Sequence, residues 1–268
     1  MTTTLGGPRE RPSLRAVALP TEHGGWGLTL EPCLLGLLIA PSVAGVCLTV
    51  AAMLAFLVRT PLKLVLVDRR RGRTLPRTHI ARRVALIEGV ALAALVGVAA
   101  WTAEPGWWVP AAIAAPLVAL QSWYDQRSRS RRLVPEIAGA VAVCAAASMI
   151  VLADGGEGAL AIAVWVVLAA RAVTSITHVR DQIARVHQRP VDSRSTMVAD
   201  AVAILLAAAA VAVEPRVLAG AIAVAMVIVI QRVSAIGPPP RAVVIGVRQL
   251  LLGVFVVAAT AVGVIVTT

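Results

Sequence analysis

"GALAIAVWVVLAARAVTSITHVRDQIARVHQRP", residues 158–190, decides the fold. From Gly158 to Val179 only Arg171 carries a fixed charge, and beyond Val179 charges follow almost every turn. At 1.5 Å per residue the apolar part is long enough to cross a hydrocarbon core of about 30 Å. A lipid-exposed backbone must satisfy its polar groups internally, so the stretch is a helix and not open sheet.

Eight further apolar segments flank it, at roughly 26–41, 43–67, 84–102, 107–124, 134–153, 197–213, 216–232 and 243–266. The chain is 59% hydrophobic and only 15% charged, against about 45–50% and about 25% in soluble domains. The expectation is an all-α, polytopic membrane protein of about nine spans. Residues 1–20 read as a polar tail without the apolar core of a signal peptide, and 21–268 as one transmembrane domain. Ala, Val and Gly dominate the segments, which suits close helix approach.

The net charge of +11 has a topological reading. The loops after segments two, four and six are "DRRRGRTLPRTHIARR", "DQRSRSRR" and "RDQIARVHQRPVDSR", and the loops between them hold Glu104, Asp154, Glu157 and Glu214. The positive-inside rule puts the N-terminus and the Arg-rich loops in the cytoplasm and the C-terminus outside. No basic domain with interleaved aromatics is present, so no nucleic-acid partner is expected. Cys33, Cys47 and Cys144 lie in apolar segments without CxxC spacing and read as small hydrophobes.

The residues with chemistry gather toward the Arg-rich side. Arg171, Thr174, His178, Asp181 and Arg185 recur every three or four positions and form one polar stripe. Arg171 lies roughly 15 Å deeper than Asp181 along the axis. At that depth it should face a partner or a wet cavity. The outer part, Arg180 to Arg189, also reads as a solvated helix end. On segment two, Arg59 and Lys63 stand at i,i+4 around Pro61, which should weaken or kink the helix. Two stacked cations call for a carboxylate, a phosphate or a diphosphate. With Glu22 or Glu31 as partner the pair is structural, and otherwise it is an anion cradle.

Glu22 and His23 precede Gly24-Gly25 and form a possible acid/base pair, while Glu31 and Glu88 are intramembrane carboxylates. Gln121 and Asp125 stand at i,i+4 at the end of segment four, beside the interfacial Trp123 and Tyr124. Arg248 and Gln249 lie in the first turns of segment nine, positioned to close the same cavity. No Walker A, Rossmann or HExxH motif occurs, and the four histidines sit near helix ends, so neither a nucleotide cofactor nor haem is expected.

"PTEHGGWGLTLEPCLLGLL", "FLVRTPLKLVL", "WYDQRSRSRR" and "LAARAVTSITHVR" together resemble the YwiC-like family of bacterial membrane proteins. The arrangement is also distantly similar to the UbiA superfamily of intramembrane prenyltransferases. That similarity implies a UbiA-like bundle in the bacterial cytoplasmic membrane, with lipids and an isoprenoid or polyprenyl diphosphate as partners. Asp68 in "VDRRRGRTLPR" and Asp181 in "HVRDQIAR" stand at aspartate positions of its two motifs, and imply Mg²⁺ held by Asp68 and Asp181 with Asp125 as a third ligand. Arg59, Lys63 and Arg185 stand where the superfamily pattern differs, exchanging metal ligands for direct phosphate donors.

Two readings stay open. In the first, the protein is a prenyltransferase-like enzyme. Arg59, Lys63, Arg180 and Arg185 hold the diphosphate, with Arg171, Asp125 and Arg248 completing the site. Asp68, Asp181, His178 or the Glu22–His23 pair do the proton and metal chemistry. In the second, it is a non-catalytic lipid- or anion-binding protein, or a small-anion transporter, on the same scaffold.

Overall fold

The structure, a computed structural model, describes residues 18–19 and 23–267, with His23 described by its backbone alone. The expected polar tail, apart from Ala18 and Leu19, lies outside the described residues, as do Glu22 and the His23 side chain.

Every regular element among the described residues is helical. The helices are α1 (His23–Ile39), α2 (Val43–Arg70), α3 (Pro76–Thr102), α4 (Val109–Gln126), α5 (Leu133–Ala153), α6 (Gly158–Val186), α7 (Ser193–Val213), α8 (Leu218–Ser234) and α9 (Ala242–Val266). A short 3₁₀ turn, Pro215–Val217, precedes α8. Seven of these elements are long and apolar enough to cross a membrane, and α1 and α4 are not among them. The reason lies in their sequences: α1 has 17 residues, and α4 ends in the polar "QSWYDQ".

Local chemistry sets the helix ends. Ser42 caps α2 by accepting from the Gly45 N–H at 3.1 Å. Asp192 does the same for α7 through the Ser195 N–H at 3.2 Å. The α3 helix starts at Pro76, about two turns before the apolar run at 84, because proline suits the first helical position and Thr78 accepts from the Leu75 N–H at 3.1 Å. Gly72 takes φ +61° in the turn between α2 and α3, a backbone that disfavours a side chain. Pro61 does not end α2, which runs unbroken past it.

α6 is the central helix. Of its spanning window 72% is buried, against 6% for α3, which packs on α2. Ala163, Val164, Val167 and Ala170 of α6 meet buried residues of α5, α7, α8 and α9 in one apolar core. α5 packs against both α2 and α6. Small residues permit the contacts: a Cβ added at Gly36 on α1 would come within 2.8 Å of Ile150 Cβ on α5.

The two ends of the bundle differ. At one, Arg71 reaches Ser128 and Arg180 reaches Glu136, joining the Arg-rich loops to each other. At the other, Arg216 bonds Glu157 at 2.7 Å and Glu214 at 2.8 Å. The hydrogen bonds from Arg216 hold the Glu214 carboxyl below the usual carboxylate range.

Candidate functional site

The polar residues divide into four groups. The first joins α2 to α4. Arg59 donates to Asp125 from Nε at 2.8 Å and from Nη2 at 3.2 Å. Lys63 donates to Ser130 Oγ at 2.7 Å and stands 3.9 Å from the Asp125 carboxylate. Asp125 is buried while both cations keep partial access to solvent. Asp125 is thus one anion that Arg59 and Lys63 meet, while Glu31 pairs elsewhere, with Arg171, and Glu22 lies outside the described residues.

The second group surrounds Asp68, which is fully buried at the turn between α2 and α3. Thr78 donates to it at 2.6 Å, and Arg73 and Arg77 donate at 3.3 and 3.4 Å. Asp68 staples the turn through residues only five to ten positions away.

The third group crosses the bundle. Arg171 and Glu31 face each other at 3.5 Å, both buried. Arg171 donates to the Gln249 carbonyl at 2.7 Å, and its Nε and Nη1 have no partner among the described residues. The Gln249 side chain accepts from Gln231 Nε2 at 3.2 Å. Thr174 donates to Asp200 at 2.5 Å, and the same hydroxyl oxygen lies 3.2 Å from Gln231 Oε1. Asp200 in turn pairs with Arg232. A chain of polar contacts so links Glu31 in the core to the far ends of α7 and α8.

The fourth group opens where that chain ends. His178, Asp181 and Arg185 of α6, Ser193 and Thr196 of α7 and Arg232 of α8 line a cavity of about 350 Å³. Thr196 donates to Asp181, and Arg185 donates to the Ala235 carbonyl. Gln182 is 3% exposed, lines the same space and keeps its Oε1 without a partner among the described residues. Charges nearly balance, but Asp200 is engaged by Arg232 and Thr174. Arg185 is the lining arginine that makes no ion pair with a carboxylate among the described residues.

The structure thus brings His178, Asp181 and Arg185 together, and separately Arg59, Lys63 and Asp125. Arg59 and Lys63 do not line the α6–α8 cavity, and α5 packs against both α2 and α6. Arg180 turns instead to Glu136 at 2.7 Å and the Arg131 carbonyl at 2.9 Å. Arg248 is half-buried on α9 and does not line the α6–α8 cavity. Glu88 makes no ion pair among the described residues.

Mg²⁺ takes several oxygen ligands at once. Asp68 is spent on its turn and Asp181 lies in another group. No cluster of three or more His, Cys, Asp or Glu side chains suited to a metal occurs among the described residues. The donor set does not fit the ion.

Asp200, Gln231, Arg232 and Thr196 escaped the sequence reading. The available signal was Asp200, a carboxylate two turns into an otherwise apolar segment, and the Gln-Arg pair that ends "VIVIQRVS".

Residues 19–151 match a family model described as YwiC-like protein. The matched stretch holds α1 to α5 and the Arg59–Asp125 clamp, and stops before every residue of the α6–α8 cavity. No curated protein matches the chain, and no solved structure matches it.

Proposed function

We propose, from the match of residues 19–151 to the YwiC-like family model and from the geometry of the α6–α8 cavity, a multi-pass protein of the bacterial cytoplasmic membrane that binds the phosphate-bearing head of a membrane amphiphile. An isoprenoid or polyprenyl diphosphate is the class in view, with its head in the α6–α8 cavity at the cytoplasmic face. One observation carries the reading. Arg185 lines a cavity of about 350 Å³ together with His178, Ser193 and the exposed Val191, and Val186, Met197 and Val233, each the chain neighbour of a lining residue, are exposed apolar side chains. A charged head and an apolar tail find matching surroundings within one short stretch of the bundle.

Arg forks suit phosphate geometry, and half-buried guanidinium bonds to an anion are roughly twice as strong as neutral ones. Binding fits the donor set better than transfer, because the carboxylates that would gather a metal stand apart. His178 and Ser193 can each supply one hydrogen bond to a bound head, and Asp181 is kept busy by Thr196.

The test is equilibrium binding of labelled geranylgeranyl diphosphate to the purified protein, with and without Mg²⁺. Saturable binding that is indifferent to Mg²⁺, weakened about tenfold or more by Arg185→Ala and unchanged by Arg82→Ala, is the expected result. Absence of saturable binding, or equal losses in both variants, overturns it. Release of diphosphate during the incubation moves the protein to the prenyltransferase reading.

A further inference from the structure

A second cavity, of about 340 Å³, lies between the ends of α2 and α4 and shares no lining residue with the first. Arg70, Arg71, Arg127 and Arg129 line it with Gln126 and Ser128, and no carboxylate does among the described residues. The internal contacts of its arginines are weak. Arg70 donates to the Gln126 carbonyl and Arg71 to Ser128 Oγ, each at 3.4 Å. About two to three turns deeper on α2, Arg59 and Lys63 both contact the Asp125 carboxylate. Four arginines thus meet at an opening whose lining, among the described residues, includes no carboxylate.

The geometry is fixed on both sides. Ser128 holds a left-handed backbone, φ +55°, which turns the chain back so that Arg127 and Arg129 flank the opening. Arg127 lies 3.6 Å over the ring of Trp123, one turn earlier on α4. Cation–π contact holds that guanidinium at the interface while leaving its N–H edge available. From Trp123, the exposed Leu120 and Ile113 continue along the same face of α4, each a whole number of turns from Arg127 or nearly so. A cationic mouth stands at one end of a lipid-facing apolar stripe, with an indole between them.

We propose that this cleft is a site for an anionic phospholipid, its headgroup phosphate held by Arg71, Arg127 and Arg129 and its acyl chains laid along Ile113 and Leu120. Basic pockets between membrane helices take such headgroups, and each cation near the phosphate adds to the attraction. The apolar stripe favours a lipid over a free phosphate, for which the stripe has no use. The site is independent of the α6–α8 cavity, and its success or failure leaves the reading of that cavity untouched.

The experiment is native mass spectrometry of the full chain in detergent, titrated with phosphatidylglycerol, with phosphatidylcholine as the zwitterionic reference. Inorganic phosphate forms a separate arm. Wild-type protein is expected to keep phosphatidylglycerol adducts in preference to phosphatidylcholine. Arg71→Ala/Arg129→Ala is expected to lose them by about tenfold or more, while Arg71→Lys/Arg129→Lys retains most of them. Arg82→Ala/Arg83→Ala removes the same charge from exposed positions on α3 and is expected to leave the adducts unchanged. Equal losses in the two alanine pairs reduce the effect to general surface charge and overturn the site. Displacement of the lipid by millimolar phosphate, or adducts with phosphate alone, assigns the cleft to a free anion and overturns the lipid.

Discussion

Arg59 on α2 grips Asp125 on α4 through two hydrogen bonds, at 2.8 and 3.2 Å, and the carboxylate between them is 4% exposed. Lys63 stands behind at 3.9 Å. Removing Arg59 strands a buried carboxylate with only that longer contact. Removing Lys63 leaves the fork intact. Arg59→Met is expected to lower stability by about 2–3 kcal/mol, somewhat less than for a fully buried pair because Arg59 keeps some solvent. Lys63→Met is expected to cost less than about 1 kcal/mol. Thermal unfolding in detergent, followed by cysteine or intrinsic fluorescence, separates the two. Equal losses would show that the fork is not what holds α4 to α2.

The pair at the centre of the bundle behaves differently. Arg171 and Glu31 are both buried, so either one alone is an uncompensated charge among apolar neighbours. Arg171→Met and Glu31→Gln are each expected to cost about 3–5 kcal/mol, and the double variant to recover much of that. The protein that remains folded in the single variants should bind prenyl diphosphate with wild-type affinity. A selective loss of affinity in Arg171→Met would return that residue to the ligand site where the sequence first put it.

Helix approach is tested at two glycines. A Cβ at Gly36 meets the branching Cβ of Ile150 at 2.8 Å, whereas a Cβ at Gly89 meets nothing within 4 Å. Gly36→Ala is expected to cost about 1–3 kcal/mol through forced separation of α1 and α5. Gly89→Ala is expected to stabilise α3 by about 0.5–1 kcal/mol through lost backbone freedom in the unfolded chain. Melting curves of the two variants moving in the same direction would contradict the packing described.

Acid should loosen the far end of the molecule. The Glu214 carboxyl is held below its usual range by Arg216, so the folded state binds its proton later than the unfolded state does. That contribution is complete above the ordinary carboxylate pKa of about 4.3 and fades as the pH drops through the lowered value. Glu214→Gln should melt below wild type at neutral pH, and the gap should close as the pH falls into the acid range. A gap that is constant with pH would assign the loss to packing.

Much of this architecture was legible in the sequence. Segment five, read at 134–153, is the helix Leu133–Ala153, and the segment read at 158–179 runs on to Val186 because Arg180, Asp181 and Arg185 remain helical past the membrane edge. Periodicity also put His178, Asp181 and Arg185 on one face, and they do share a cavity. What periodicity cannot give is the neighbour that a face meets. Glu31 reads as a partner for Arg59 and pairs instead with Arg171, while Arg59 meets Asp125, sixty-six residues away; Glu22, the other candidate, lies outside the described residues. Asp68 looked like a ligand because of its motif position, yet a threonine ten residues on captures it. Both outcomes depend on how helices stack, a property that no single helix encodes.

The Arg171–Glu31 contact also bears on how such a protein is made. An arginine at the middle of a helix adds about 2.5–3.5 kcal/mol to the cost of releasing that helix alone into lipid. Its carboxylate belongs to the first helix, which leaves the ribosome long before the sixth. The first helix is short, acidic and unmatched throughout that interval. Until both helices are in place each carries the cost of its own polar group in lipid, and the contact offsets that cost only in the assembled bundle.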